Sequence, residues 1–117
     1  MTALVVPHNP TWSDAFHREA DAIMHALGAT ALDVQHIGST AIRHIAAKPI
    51  IDMLLFVSDL DELDAKVTAL EAMKYEAMGE FGIAGRRYFR KDDAQGIRTH
   101  HLHAFRSGNP EGVRHIA

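Results

Sequence analysis

One run of eight residues limits the folds open to this chain more than any other feature. Residues 50 to 57 read IIDMLLFV, in which every side chain except that of Asp52 is apolar. This length and composition are typical of a central strand that is buried on both faces. A buried helix is the alternative, but the run between Pro49 and Ser58 is too short for a typical one. The run therefore predicts an interior strand that contains one acid.

Amphipathic patterns flank this strand. Residues 11 to 27 repeat apolar side chains at helical spacing before Gly28, and residues 59 to 74 do the same, so both predict helices. The other predicted elements are strands at Leu32–Ile37, Arg87–Arg90 and His100–Phe105, a helical start to segment 39–47, a loop containing Gly79, Gly82 and Gly85, and an irregular tail, RSGNPEGVRHIA. This order predicts an α/β (α+β) fold, with helices packed on a mixed sheet.

Length and composition fit one domain. With 117 residues, of which 47% are hydrophobic, the chain can build one core but hardly two. We therefore expect residues 1–117 to form a single domain. No apolar run approaches the roughly 20 residues that cross a bilayer, which argues against a membrane partner. The absence of cysteine removes disulfides and thiolate metal sites and favours the cytoplasm.

The charge pattern argues against nucleic-acid binding. The formal net charge is −3, whereas nucleic-acid binders usually gather a basic excess on one face. The strongest basic cluster is followed at once by acids, in the order Arg86, Arg87, Arg90, Lys91, Asp92 and Asp93. Nine histidines are the one unusual count, and imidazole both titrates near neutral pH and binds metals. A high histidine count is, however, more often a property of the surface than of a site.

A Gly-Ser-Thr turn follows the first predicted strand. Gly38 allows a tight turn, and Ser39 and Thr40 place hydroxyl groups where a helix begins. Free backbone N–H groups at such a point favour an anion such as phosphate. A simple turn and helix cap without a ligand is the alternative.

Asp52 is the second candidate site residue. A carboxylate inside an apolar strand is costly unless a hydrogen-bond donor, a cation or a metal compensates it. Lys48, four residues upstream, is the nearest cation in the sequence. Capping of Asp52 by neighbouring backbone groups is the alternative.

The segment HIGSTAI, followed by AAKPIIDMLLFV, resembles the signature of the GrpB family, whose members have a nucleotidyltransferase-type fold. The opening PHNPTW with its helix, the segment GIAGRRYF and the strand HHLHAF resemble GrpB segments in the same order. The resemblance covers nearly the whole chain. It implies a nucleotidyltransferase-like mixed sheet in one GrpB-like domain.

The resemblance also implies roles for individual residues. In active nucleotidyltransferases a Gly-Ser pair holds nucleotide phosphates, and carboxylates bind divalent metal. Gly38 and Ser39 match that pair and Asp52 matches the first acid, but Leu54 stands at the position of the second acid. The late strand THHLHAF offers His101 and His103 where a third acid is expected. The two histidines could instead hydrogen-bond neighbouring strands or face solvent.

From these observations we expect a phosphate- or nucleotide-binding domain of nucleotidyltransferase type, with metal-assisted nucleotidyl transfer as its activity. The predicted partner is a nucleotide or another phosphorylated small molecule. The predicted roles are Gly38, Ser39, Thr40 and Lys48 for phosphate, Asp52 for catalysis, and Asp52, His101 and His103 for a divalent metal. The expected divalent metal is Mg²⁺, Mn²⁺ or Zn²⁺, since a site with one acid and histidines could hold a softer ion such as Zn²⁺ or Mn²⁺.

Two alternatives are a degenerate pocket that binds phosphate without turnover, and a non-catalytic interaction or folding-assistance module. Fusions of GrpB-like domains to dephospho-CoA kinase support the second. Relatives also usually continue with a Phe-Arg-Asp-Tyr stretch and a C-terminal helix, whereas this sequence stops at Ala117. A chain without that segment is expected to expose apolar surface and to form a homo-oligomer.

Overall fold

A five-stranded sheet forms the centre of the protein, which is described for residues 5–115 by a computed structural model. The strands are β1 (Ala31–Ile37), β2 (Ile51–Val57), β3 (Glu76–Ala77), β4 (Arg86–Asp92) and β5 (Arg98–Arg106), in the spatial order β1-β2-β5-β4-β3. β2 pairs antiparallel with β1 and parallel with β5, so it is an interior strand. The other two pairings, β4 with β5 and β3 with β4, are antiparallel. The predicted mixed sheet and interior strand are confirmed.

Among the described residues, four α-helices accompany the sheet: α1 (Thr11–Leu27), α2 (Leu60–Ala65), α3 (Val67–Ala72) and α4 (Pro110–Arg114). α1 begins and ends where the sequence predicts. Its apolar stripe is buried in the main core and consists of Trp12, Phe16, Ala20, Ile23 and Leu27. The three- and four-residue spacing of that stripe is the reason that one side of α1 can lie on the sheet.

The predicted helix at 59–74 is wrong in one respect, because it is divided into α2 and α3 at Lys66. This residue has φ −108° and ψ 10°, which are not helical values. Its Nζ donates a hydrogen bond to the carbonyl oxygen of Leu27, at 2.9 Å, and so ties the break to the end of α1. The start of α2 follows the expected capping chemistry, since the Asp59 side chain accepts hydrogen bonds from the backbone N–H groups of Asp61 and Glu62.

The predicted irregular tail is also corrected. The side chain of Asn109 caps α4 by accepting from the N–H of Glu111, and Pro110 occupies the first turn, where its missing N–H costs nothing. Residues 116 and 117 of that tail lie outside the described residues. The late strands are longer than predicted, and the two-residue β3 was not predicted.

The two faces of the sheet differ in how they are covered. Ile51, Met53, Leu55 and Val57 of β2 belong to the main core together with α1 and α3. Because side chains alternate along a strand, Asp52 and Leu54 lie on the opposite face. There Leu54 belongs to a small second cluster with Ile37 and Phe105, and α4 covers part of it. Asp52 therefore lies on the less covered face of an interior strand. No helix within residues 5–115 is long and apolar enough to cross a membrane.

Candidate functional site

The turn after β1 and the carboxylate of Asp52 are in direct contact. Gly38 has φ 73° and ψ −170°, a conformation that side chains strongly disfavour. A Cβ atom at this position would lie 2.7 Å from Asp52 Oδ2. Glycine is thus required both by the backbone conformation and by the neighbouring acid. The helical start predicted after it is a single 3₁₀ turn, Ser39–Ala41.

The parallel pairing of β2 with β5 brings two histidines to Asp52. In that register Asp52 is opposite His101 and Leu54 is opposite His103, so all these side chains lie on one face. His101 Nδ1 lies 2.9 Å from Asp52 Oδ1, and His103 Nε2 lies 3.9 Å from the same oxygen. An ionised carboxylate can only accept hydrogen bonds, so His101 donates through Nδ1 and the lone pair of its neutral ring is on Nε2. We call Asp52, His101 and His103 the Asp–His cluster.

These contacts keep Asp52 ionised. Burial raises the pKa of Asp52, but the hydrogen bond from His101 and the nearby imidazole of His103 outweigh it and lower the pKa to about 2. The carboxylate of Asp52 is therefore ionised at neutral pH, and two imidazole rings lie beside it.

Arg86 contacts the ring nitrogen of His103 that does not face Asp52. It is buried, with 7% of its surface exposed, and its Nη1 lies 3.3 Å from His103 Nδ1. Since a guanidinium can only donate, His103 accepts at Nδ1, and in the neutral ring the proton is on Nε2. Arg86 also donates to the carbonyl oxygens of Glu80 and Phe81, at 3.1 and 2.7 Å, and so holds the loop before β4 against β5. Nothing in the sequence distinguishes Arg86 from the other members of its basic cluster, so this role was not predicted.

A cavity of 610 Å³ opens beside Asp52 and His101. Its polar lining includes Ser39, Lys48 and Arg98. Lys48 is exposed and has no salt-bridge partner among the described residues, whereas Arg98 is paired with Asp92. The cavity is therefore bordered by two cations, two hydroxyl residues, one carboxylate and one imidazole.

Arg98 is a cavity residue that was not predicted from the sequence. Strict alternation along β5 would place it on the face opposite to His101. The pairing of β4 with β5 is irregular between Lys91 and Asp92, where Asp92 pairs with Arg98 and Thr99 is passed over. This bulge breaks the alternation, and no period-two pattern in the sequence predicts it.

Thr40 differs from the other predicted phosphate residues. It is buried, and its hydroxyl group donates to the carbonyl oxygen of Ile50 at 3.0 Å. The one hydroxyl proton is thereby used, so His36 Nε2, 2.9 Å away, is the donor to Thr40 Oγ1. The hydroxyl of Thr40 thus fastens the turn to the start of β2. Gly38, Ser39, Lys48, Asp52, His101 and His103 come together around the cavity and the cluster, while their roles in binding stay predictions.

The Asp–His cluster fits a divalent transition metal in number and type of ligands. One possible ligand atom from each residue lies within 4.8 Å of the others. One carboxylate and two imidazoles suit Zn²⁺ or Mn²⁺, whereas Mg²⁺ prefers an all-oxygen set, and Leu54 leaves that set one carboxylate short. A metal on His103 Nε2 would move the ring proton to Nδ1, where it would oppose the N–H of Arg86. Metal binding there therefore competes with the Arg86–His103 hydrogen bond.

The family follows from comparison with known proteins. The sequence profile described as "GrpB protein" matches residues 2–117. The chain belongs to the GrpB family. The crystal structure of the conserved protein GrpB from Enterococcus faecalis has 41% sequence identity to this GrpB chain and a TM-score of 0.88, and the match covers 94% of this chain and 66% of that one. The predicted family and the α/β fold with a mixed sheet are thus confirmed.

Other GrpB relatives are longer proteins. UPF0157 protein YqkA of Bacillus subtilis is 39% identical over 112 residues, which are 96% of this chain but 32% of that protein. A dephospho-CoA kinase of Mycobacterium tuberculosis is 38% identical over 76 residues, 62% of this chain and 19% of the kinase. This GrpB chain thus spans less than two thirds of the length of each.

Proposed function

We propose that the cavity beside Asp52 and His101 binds the phosphate of a nucleotide or of another phosphorylated small molecule. The observation that supports this best is the contact between the Gly38 turn and Asp52. This contact places Ser39 of the turn and the carboxylate of Asp52 in the wall of one cavity. Lys48 and Arg98 are the groups that would neutralise phosphate, and Arg98 offers a planar fork of donors. The hydroxyl of Ser39 adds an uncharged donor.

A phosphate in this cavity would meet the negative charge of Asp52. Two anions in one partly buried site repel each other unless a cation lies between them. A divalent ion on the Asp–His cluster would supply that positive charge when bound. We therefore propose that Zn²⁺ or Mn²⁺ assists phosphate binding here. The proposal includes metal-assisted nucleotidyl transfer as a further step. Transfer requires more of the site than binding does, because Leu54 stands where a second metal-binding acid is expected.

A second candidate function is a non-catalytic interaction module. The similarity to part of a dephospho-CoA kinase favours it, because there the matching segment is a small fraction of a larger protein. Leu54 favours it as well, since a two-metal site needs more carboxylates than the cluster has. On this alternative the chain would act by contacting another protein or domain.

The charge of Asp52 separates the two candidates. Asp52→Asn keeps the shape of the side chain and removes its charge. In isothermal titration of ATP with and without MnCl₂, we expect the variant to lose the metal-dependent part of binding by at least about tenfold, or 1.4 kcal/mol. Asp33→Asn is the matched control, because Asp33 is an exposed acid on β1 that does not line the cavity. It should bind as the wild type does.

The result that favours the interaction module is also clear. If Asp52 is only structural, Asp52→Asn should lower the melting temperature and leave ligand binding unchanged. If the wild-type protein binds neither nucleotide, nor phosphate, nor divalent metal at millimolar concentration, the binding function is refuted. A positive binding result with no turnover of nucleotide would refute only the transfer step.

A further inference from the structure

A second cavity, of 350 Å³, lies next to the first and shares the buried residue Thr40 with it. Its polar lining differs completely from that of the first cavity apart from this residue. The lining contains three histidines, one arginine and one further hydroxyl group: His8, His36, His44, Arg43 and Ser13. None of the lining residues that the structure describes is acidic. The cavity is therefore rich in N–H donors and has no carboxylate to balance them.

The walls of this cavity come from two parts of the chain, residues 8–13 and residues 36–44. The backbone N–H of Val6 donates to the carbonyl oxygen of Ala47 at 2.8 Å, and the N–H of Ala47 donates back to Val6 at 2.9 Å. This pair of hydrogen bonds fixes the segment before α1 to the segment after the Gly38 turn. It thereby brings the ring of His8 to 6.4 Å from the ring of His44. The cavity is thus held by backbone pairing as well as by side-chain packing.

Two residues of the lining are in costly states. Nδ1 of His8 is buried and has no hydrogen-bond partner, and a buried polar atom without a partner is destabilising. His44 has φ +65°, a left-handed conformation that is uncommon for a residue other than glycine. A ligand that accepts hydrogen bonds from Arg43 and His44 would give a reason for an imidazole in this conformation at position 44.

We propose that this second cavity binds an oxyanion of the phosphate class. Arg43 provides a permanent positive charge with several donors, and the rings of His8 and His44 and the hydroxyl of Ser13 provide further donors. A metal ion is a poorer occupant, because among the described residues only the Asp–His cluster has ligand atoms grouped for one. The site is independent of the function proposed for the first cavity, since its charged and donor groups are different ones.

Inorganic phosphate is a sufficient probe, added at constant ionic strength against sodium chloride. Imidazole ¹H–¹⁵N spectra of the whole chain would show which rings respond. We expect the resonances of His8 and His44 to shift and to reach saturation. Arg43→Ala and His44→Gly should each weaken this binding at least about tenfold, the usual effect of losing a hydrogen bond to a charged group. Both positions are exposed, so neither change removes core packing.

His44→Gly also predicts a rise in melting temperature, because glycine adopts the left-handed conformation without strain. Weaker binding combined with higher stability cannot result from partial unfolding. Lys74→Gly is the matched control: Lys74 is exposed, has φ +75° and lies outside both cavities. It removes a positive charge and the same kind of strain. It should raise the melting temperature and leave the affinity for phosphate unchanged.

Three results would overturn the second site. The shifts of His8 and His44 could grow linearly without saturation, which indicates general ion effects. Arg43→Ala and His44→Gly could both bind phosphate as tightly as the wild-type protein does. Finally, only the rings of His101 and His103 could respond, which would place phosphate in the first cavity alone.

Discussion

Replacing Gly38 with alanine tests whether the turn and Asp52 are fitted to each other. The new Cβ atom would lie 2.7 Å from Asp52 Oδ2 and 3.1 Å from Asp52 Cβ. The backbone at Gly38, with φ 73° and ψ −170°, is in addition a conformation used almost only by glycine. Gly38→Ala therefore has two separate costs, one in the backbone and one in the contact with the acid.

The size of the effect can be worked from these two costs. A side chain in this backbone region costs about 1–3 kcal/mol, and forcing an atom into an occupied space costs about 1–3 kcal/mol more. We expect a total loss of about 3 kcal/mol in the free energy of unfolding. For a domain of this size that loss lowers the melting temperature by about 10 °C.

Equilibrium denaturation in urea, followed by circular dichroism, measures this loss. Gly79→Ala is the control, because Gly79 has φ +62° and a Cβ there would meet no atom within 4 Å. It should lose only the backbone part, about 1 kcal/mol. In an Asp52→Ala background, where the carboxylate is absent, Gly38→Ala should cost about 1 kcal/mol less than in the wild type. If Gly38→Ala and Gly79→Ala lower the free energy of unfolding by the same amount, the Gly38 turn and Asp52 are not in close contact, and the proposed fit between them is wrong.

Two further predictions use the same urea assay. Burial raises the pKa of Glu19, but hydrogen bonds from Lys91 and Tyr75 outweigh it and leave the pKa below its usual value. The ionised form thus stabilises the fold above the ordinary glutamate pKa, and this stability is lost as the pH falls through the lowered value, so Glu19→Gln should flatten the acid side of the pH profile. Gly112→Ala should destabilise the protein by about 1–2 kcal/mol although alanine favours helices, because its Cβ would lie 2.7 Å from Phe56 Cε1. A variant that is more stable than the wild type would contradict this close packing of α4.

The parts of the fold that the sequence predicts are those whose burial leaves a local pattern. β2 is apolar on consecutive residues because both of its faces are covered, and α1 repeats its apolar residues because one side is covered. The break at Lys66 leaves no such pattern. It depends on a hydrogen bond to the carbonyl oxygen of Leu27, which belongs to a different helix. Local spacing predicts one continuous helix there, and a tertiary contact decides otherwise.

In the candidate site, too, some residues leave a local pattern in the sequence and others depend on tertiary contacts. Gly38 and Asp52 stand out in the sequence because each breaks its local pattern, a glycine after a strand and an acid within one. Their mutual fit is a property of the folded chain. Arg86 and Arg98 do not stand out, since the burial of Arg86 depends on the loop that it holds and the position of Arg98 depends on a bulge.

Register finally decides which histidine belongs to the site. His100 and His101 are neighbours of the same type, and composition cannot distinguish them. The parallel pairing sets His101 beside Asp52, while His100 pairs with Ile51 and lies on the other face, with its ring 6.4 Å from that of Tyr75. Burial there lowers the pKa of His100 to about 4, so it is neutral at pH 7, and its Nδ1 lies 2.8 Å from the hydroxyl oxygen of Thr99 instead of beside Asp52. A shift of one residue between β2 and β5 would exchange the two environments, and the Asp–His cluster would not form.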